Sequence, residues 1–441
     1  MPLPPRTDVA ILGAGLTGLA AAHRLAQKGV DFALFERLPQ VGGHAITLTE
    51  QGYRFDRTGH LLHLRDPEVR AEVLGWLGGD VVEVARRSRV YSHGVYTRYP
   101  YQANTFGLPP EVAGECLLGF LRAHFQPEPA EPPRDFEAYC RRHFGDGISD
   151  HFMIPYNQRL WGVHPREITA AWCQRFVPLP KLEDVVAGAV GMNDRELGYN
   201  AHFLYPRLGI GELPRGMLEA LPTQAREQVH LSASPVAIDV ARRELHFEGG
   251  HVTRYQQLIS SAPLNRLLSL MELPAEVQRA KELLRCTHLY YLDVASSAPC
   301  GNDLHWVYVP EARLPFYRVG CYSNFSEEMA PPGGSSYYVE LADRSEPDLA
   351  TLLPEVTAGL VELGLLPSAE ALRFARLRRI DHAYVIYDHH YYPALEVIRP
   401  FLEAAQVHST GRYGGWNYSS MEDALLFGRE AARAAAAGLT A

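Results

Sequence analysis

From Asp8 to Leu12 the chain is an unbroken apolar run of strand-forming residues. Apolar positions then recur at helical spacing through Leu19, Ala22, Leu25 and Ala26, and Lys28-Gly29 ends them. A second strand-like run, Asp31 to Phe35, follows at once. This pattern predicts strand, turn, helix and strand in immediate succession. Between Gln126 and Arg134 the chain is dense in proline and glutamate, which marks a surface loop inside an otherwise helical stretch. The middle of the chain therefore reads as an insertion. From about Arg207 to Pro263 the pattern changes to a short helix and then strands at Val229 to Ser232, Val236 to Val240 and Glu244 to Phe247, closing with the run Leu258 to Pro263. We read this as the chain rejoining its first domain. Tyr290 to Val294, Trp306 to Val309, Tyr317 to Tyr322 and Tyr337 to Leu341 predict a separate antiparallel sheet, and an alanine-rich helix closes the chain.

Composition narrows the picture. At 441 residues the chain exceeds one ordinary core, so two or three subdomains are expected. A net charge of -9 makes nucleic acid and anionic membranes poor partners, and an anionic substrate then requires a local cluster of arginines. The six cysteines are scattered, with no CxxC pair and no metal-ligand spacing, so no metal is expected. Reduced thiols fit a cytoplasmic enzyme. No charged segment leading into an apolar stretch opens the chain and no run of about 18 apolar residues occurs, so neither export nor a membrane span is expected. Whether the chain forms a homo-oligomer is left open.

The turn after the first strand is Gly13-Ala14-Gly15-Leu16-Thr17-Gly18, and Glu36 stands at the tip of the second strand. Gly13 allows the tight turn, Gly15 lets a pyrophosphate approach the backbone, and Gly18 allows close packing. The helix N-terminus offers N–H groups to the phosphates, and Glu36 can accept from ribose hydroxyls. A bare glycine turn is the alternative, but strand, turn, helix, strand and acid occur here in the order a dinucleotide requires. Arg37 and Gly42-Gly43 beyond the second strand resemble the extended FAD fingerprint of the amine oxidase and protoporphyrinogen oxidase superfamily. Near the C-terminus, Gly411 to Asp423 reads as a loop entering a helix, with Ser419 and Glu422 as a capping box. In that superfamily such a helix points its dipole at the flavin. The expected fold class is thus α/β: a discontinuous Rossmann-type FAD-binding domain (5–90, 205–265 and 405–441), an inserted helical domain (106–185), and an antiparallel β-sheet substrate domain (91–105, 186–204 and 266–404).

Several further segments resemble UDP-galactopyranose mutase, especially its eukaryotic-type sequences, in family order across most of the chain. Gly52 to His60 is similar to the family's histidine loop beside the flavin, with Thr58 where the family usually has a second glycine. Tyr99-Pro100-Tyr101-Gln102-Ala103-Asn104 and Tyr156-Asn157-Gln158-Arg159-Leu160-Trp161 resemble two of its substrate segments. Trp172 to Pro178, with Arg175, resembles its mobile flap, and Tyr199-Asn200-Ala201 its substrate asparagine. Tyr384, Arg412 and Tyr418 carry the spacing of its two phosphate-binding tyrosines and flavin-side arginine.

The resemblance implies His60, Arg175, Tyr384, Tyr418 and Arg412 as the catalytic set, and Tyr99, Gln102, Tyr156, Asn157, Trp161, Asn200 and Tyr317 around the substrate. It implies Gly13, Gly15, Leu16, Thr17, Gly18, Glu36, Arg37, Gly42, Gly43, His44, Gly59, His60, Val236, Gly411, Arg412, Tyr418 and Met421 around FAD. Each has a plainer reading as well. Trp161, Trp172 and Tyr156 also suit core aromatics. His44, His63, His389 and His390 suit surface or satisfied histidines, and Asp56 suits a loop-orienting role. One departure stands out: the family has a second diphosphate arginine soon after a Thr-His, and Thr287-His288 is followed by none. Arg318, or one of Arg376, Arg378 and Arg379, is the expected substitute.

Two functions remain open on these residues. The resemblance implies a mutase that interconverts pyranose and furanose forms of a nucleotide sugar through N5 of reduced FAD, with NAD(P)H or another reductant activating it. The missing arginine favours the alternative, an FAD-dependent oxidoreductase of the amine oxidase or protoporphyrinogen oxidase type.

Overall fold

The computed structural model describes residues 2–127, 131–173, 177, 179–192 and 202–439. The first layer is a five-stranded parallel sheet of β1 (Val9–Leu12), β2 (Phe32–Phe35), β9 (Val229–His230), β13 (Gln257–Ser260) and β19 (Val407–Ser409). The strands lie in the order β19-β13-β1-β2-β9. All four residues of β1 are buried, because a central parallel strand is covered on both faces, and this is why its sequence is continuously apolar. Helix α1 (Leu16–Gln27) connects β1 to β2, and the register Leu12↔Phe35 leaves Glu36 just past the sheet edge, level with Gly13. The C-terminal helix (Met421–Gly438) packs along α1, so closely that a Cβ on Gly428 would run into the Thr17 carbonyl.

The second layer is a seven-stranded sheet. It comprises β6 (Ser88–Ser92), β7 (Val95–Arg98), β14 (Cys286–Ser296), β15 (Trp306–Tyr308), β16 (Phe316–Cys321), β17 (Ser335–Leu341) and β18 (Leu372–Val385), in the order β18-β14-β17-β16-β15-β6-β7. Every neighbouring pair is antiparallel except β15 with β6. Small sheets join the layers: β3 (Thr47–Glu50) with β4 (Tyr53–Asp56), β5 (Val81–Ala85) with β8 (His202–Pro206), and β10 (Pro235–Asp239), β11 (Glu244–Phe247) and β12 (Val252–Arg254).

β18 was not anticipated. Arg373, Arg376, Arg378 and Arg379 crowd a strand of 14 residues and blur its alternation. They are tolerated because β18 is an edge strand, where charge also discourages pairing with another chain.

Helix α2 (Pro67–Trp76) lies beside the first layer, capped by Asp66. The helical insertion is built from α3 (Pro110–His124), α4 (Phe136–Ile148) and α5 (Ile154–Trp161), the last two joined by a π-helical turn at Ser149–Met153. It places Tyr156 and Trp161 in the same buried core as Tyr317 and Val385 of the large sheet, and the candidate site forms along that contact.

Candidate active site

The glycine turn divides its work between the chain and a ligand. Gly13 has φ +98, and a Cβ on Gly18 would collide with the Gly13 carbonyl, so both serve the fold. A Cβ on Gly15 would meet nothing nearer than the Gly43 Cα at 3.9 Å. Gly15 is therefore free of packing duty, yet it faces the backbone of Gly42 and Gly43, and it forms an isolated bridge with Gly42. Gly15 caps α1 with no side-chain bond to the first N–H groups, which leaves them for an anion. Glu36 is buried; its Oε2 accepts from Ala14 N–H at 2.8 Å and its Oε1 from Leu38 N–H at 2.9 Å, and each oxygen keeps a lone pair for a hydroxyl. The donor set and the open glycine cradle fit a dinucleotide. Leu16 and Thr17 are buried in the first turn of α1, Arg37 is exposed beside the acid, and Val236, on β10 beyond Glu36, is 52% exposed.

The loop after β4 is pinned from several sides. Asp56 is fully buried and accepts from Thr47 Oγ1 at 2.6 Å, Tyr205 Oη at 2.6 Å and Ile210 N–H at 3.1 Å, which makes it a loop anchor. Thr58 has φ +66, a left-handed conformation unusual for a β-branched residue. Tyr322 Oη holds it there through the Asp56 carbonyl at 2.7 Å and the Thr58 carbonyl at 3.2 Å. Gly59 lies against the Tyr338 hydroxyl. His60 follows, with Nδ1 at 3.4 Å from the Thr58 carbonyl; burial, and then the nearby Arg412, Arg318 and Arg57, bring it down to about 4 despite that carbonyl. Its ring is neutral at physiological pH. His44 is no surface histidine: burial first, then Arg57 and other cations, lower it to about 3. Its Nδ1 is buried without a partner, and its ring meets Tyr413 edge-on at 5.1 Å.

Beyond His60 lies a recess walled by aromatic rings. Tyr384 and Tyr418 stack with centroids 6.2 Å apart, and the Arg412 guanidinium sits 4.6 Å from the Tyr418 ring and 5.8 Å from Tyr384. Arg412 is aimed by its bond to the Ser419 carbonyl at 2.6 Å, and Gly411, at φ +81, packs on Thr17. Trp161 meets Tyr384 edge-on at 5.5 Å. Arg318 donates to Tyr384 Oη at 3.2 Å and forms a two-armed pair with the fully buried Glu340, at 2.6 and 3.0 Å. Tyr99 stacks on Tyr308 at 4.8 Å under Arg86, and Tyr156 meets Tyr308 edge-on at 5.5 Å. Burial pushes the Tyr384 hydroxyl up to about 12, so it acts as a neutral donor and acceptor.

Other expected residues have internal duties. Tyr317 is fully buried against Tyr156, its hydroxyl without a partner, and Asn157 donates to the Met153 carbonyl at 2.7 Å. Gln102 is buried beside Tyr101. Trp161, Trp172 and Tyr156 are core aromatics by burial, although Trp161 and Tyr156 also touch rings of the recess. Arg175, Asn200 and most of the segment Trp172 to Pro178 lie outside the described residues.

Three expectations are corrected. The C-terminal helix is capped by Ser420 with Asp423, one residue later than the expected Ser419 and Glu422. Glu422 instead accepts from Arg65 and Asp66 N–H at 2.6 and 2.8 Å, tying the helix to the start of α2, and Met421 opens the helix. Of the candidate substitute arginines, only Arg318 has a bond to a recess tyrosine among the described residues, because Arg376, Arg378 and Arg379 pair with Glu50, Asp293 and Asp381. His44 belongs to the site, as described above. Tyr308 and Arg86 went unread in the sequence, since a stacked pair drawn from distant strands has no spacing signature.

Comparisons with known proteins agree with this geometry. A model of the NAD(P)-binding Rossmann-like domain matches residues 11–74. A crystal structure of reduced UDP-galactopyranose mutase superposes with a TM-score of 0.91 at 28% identity, covering 98% of this chain and 96% of that one. Putrescine oxidase bound to putrescine shares the fold, with a TM-score of 0.66 at 17% identity over 98% of this chain and 99% of the other. Protoporphyrinogen oxidase 2 of Arabidopsis thaliana is 23% identical over 158 residues, which are 34% of this chain and 31% of the plant protein. The chain thus spans less than a third of that relative's length. Among the described residues no helix is long and apolar enough to cross a membrane, and no cluster of His, Cys, Asp and Glu suits a metal ion.

Proposed function

We propose that this chain, an FAD flavoprotein of the amine oxidase and protoporphyrinogen oxidase superfamily built on the plan of UDP-galactopyranose mutase, interconverts the pyranose and furanose forms of a nucleotide-linked sugar. The observation that carries this reading is the recess itself. Two stacked tyrosines lie under the Arg412 guanidinium, and Arg318 bonds to one of them. A recess of neutral hydroxyls with two cations suits a diphosphate, and Arg318 takes the place of the arginine missing after Thr287-His288.

The residues divide the work. Gly15, Gly42, Gly43 and the N-terminus of α1 hold the cofactor pyrophosphate, Glu36 holds its ribose, and Val236 lies against its nucleotide half. Reduced FAD, when bound, supplies an electron-rich N5 able to act as a nucleophile toward an anomeric carbon. Arg318, Arg412, Tyr384 and Tyr418 bind the diphosphate and stabilise its charge as it leaves. Arg175 would add a third cation. Tyr99, Tyr156 and Trp161 exclude water from the sugar. His60, neutral at physiological pH, can exchange a single hydrogen bond with the flavin edge without adding charge. We place the enzyme in the cytoplasm, as its cysteines among the described residues are free thiols.

The test is a redox balance. Under anaerobic conditions one reduction by dithionite or a nicotinamide is expected to support many turnovers of a nucleotide sugar, while the oxidised protein stays inactive. The second reading, an FAD-dependent oxidoreductase, draws on the local match to a protoporphyrinogen oxidase. It requires substrate to bleach oxidised flavin, with one acceptor consumed per product, and that stoichiometry would refute the mutase.

A further inference from the structure

β16 ends at Cys321, and the loop after β14 brings Cys300 back against it. The Cys321 thiol lies in hydrogen-bonding reach of the Cys300 sulfur, and both are free thiols. Their access differs: Cys321 is fully buried, whereas Cys300 is half-buried between the exposed residues Pro299 and Gly301. The Cys300 sulfur is surrounded by hydrogen-bonding groups from three further residues, namely Asn302, Tyr337 and Asn324. Asn324 is itself fixed by bonds to the Asn302 and Leu304 carbonyls at 3.0 and 2.7 Å. Together, and led by the Cys321 thiol, these contacts hold Cys300 down to about 7 against the opposing effect of burial. Cys286, also half-buried, lacks such neighbours and is pushed up to about 11 by burial.

We propose that Cys300 and Cys321 form a peroxide-responsive dithiol, with the accessible Cys300 as the attacking thiol and the buried Cys321 as the resolving one. In the first step the Cys300 thiolate attacks a peroxide oxygen. The O–O bond breaks, the distal oxygen leaves with a proton as water or alcohol, and Cys300 becomes a sulfenic acid. In the second step the Cys321 sulfur attacks the Cys300 sulfur. The S–O bond breaks, and hydroxide departs with the Cys321 proton as water. The two thiols lose two electrons, which the peroxide gains, and an added dithiol reverses the change. The paired sulfurs need only close from hydrogen-bond contact to a bond of about 2.05 Å. The next residue, Tyr322, donates to the Asp56 and Thr58 carbonyls of the histidine loop. The pair is therefore one residue from the clamp on that loop.

The flavin-loaded wild-type protein is treated with equimolar hydrogen peroxide, alkylated and mapped by peptide mass. The expected product is a peptide pair linked through Cys300 and Cys321 that dithiothreitol releases. Before oxidation, Cys300 is expected to react with iodoacetamide at neutral pH about tenfold or more faster than Cys286. Cys300→Ser should give no linked pair and keep its flavin. Cys321→Ala should stop at a sulfenic acid that dimedone traps; if burial makes that variant unstable, the wild-type map decides alone. Cys300 oxidised to sulfinate with Cys321 still reduced, or labelling no faster than Cys286, would overturn the proposal. Neither result depends on the mutase reading.

Discussion

Asp56 carries a stability cost that pH can expose. Burial raises its carboxyl to about 7 although Thr47, Tyr205 and Ile210 all donate to it, against about 3.9 in an unfolded chain. Between those values the folded chain holds a proton that the unfolded chain has released. Stability from this group is therefore full below about pH 4, falls as pH rises toward 7, and is level above. The decline is on the order of 1.4 kcal/mol per pH unit where it is steepest, and Asp56→Asn is expected to flatten it in denaturant titrations across this range. An unchanged slope would assign it to another group. The glycines make a sharper pair. Gly15→Ala has room for its methyl and is expected to fold normally while losing flavin, whereas Gly18→Ala would drive a Cβ into the Gly13 carbonyl and lower stability itself. Thermal melts and flavin absorbance per chain separate the two. These glycines and Glu36 were legible in the sequence because each answers a backbone requirement. Tyr308 and Arg86 were not, because they matter only through rings brought in from distant strands.

At the scale of elements, the parallel strands announced themselves by continuous apolar runs, and the C-terminal helix by its capping residues and alanines. Its start was misread by one residue, since Ser419-Ser420 offers two candidate caps and only the backbone decides between them: Ser420 accepts from Asp423 N–H at 3.1 Å, while Ser419 turns its carbonyl to Arg412. Ser420→Ala is expected to cost about 1 kcal/mol, read from the melting midpoint. Gly428→Ala acts at the crossing with α1 and is expected to cost about 1–3 kcal/mol with a parallel loss of flavin, because the helix it displaces backs the glycine turn. A variant that kept its flavin would show that the helix crossing and the glycine turn are not coupled. β18 escaped the sequence reading for an opposite reason. Its arginines answer to Glu50, Asp293 and Asp381, two of them acids far away in the chain, so little that is local explains them.

For the whole molecule, the decisive feature is how the first layer is collected: β1 and β2 come from the start of the chain, β9 and β13 from its middle, and β19 from near its end. The helix that backs α1 comes later still. During synthesis, then, the glycine turn emerges early but waits for almost all the rest of the chain before it is enclosed. A chain arrested on the ribosome at residue 400 is expected to hold no flavin, and a peptide of residues 401–441 added in trans to restore it. Flavin retained by the arrested chain would refute this. If the expectation holds, the nucleotide is a receipt for a finished polypeptide: prematurely terminated copies stay colourless, and cofactor occupancy separates complete molecules from fragments before either meets a substrate.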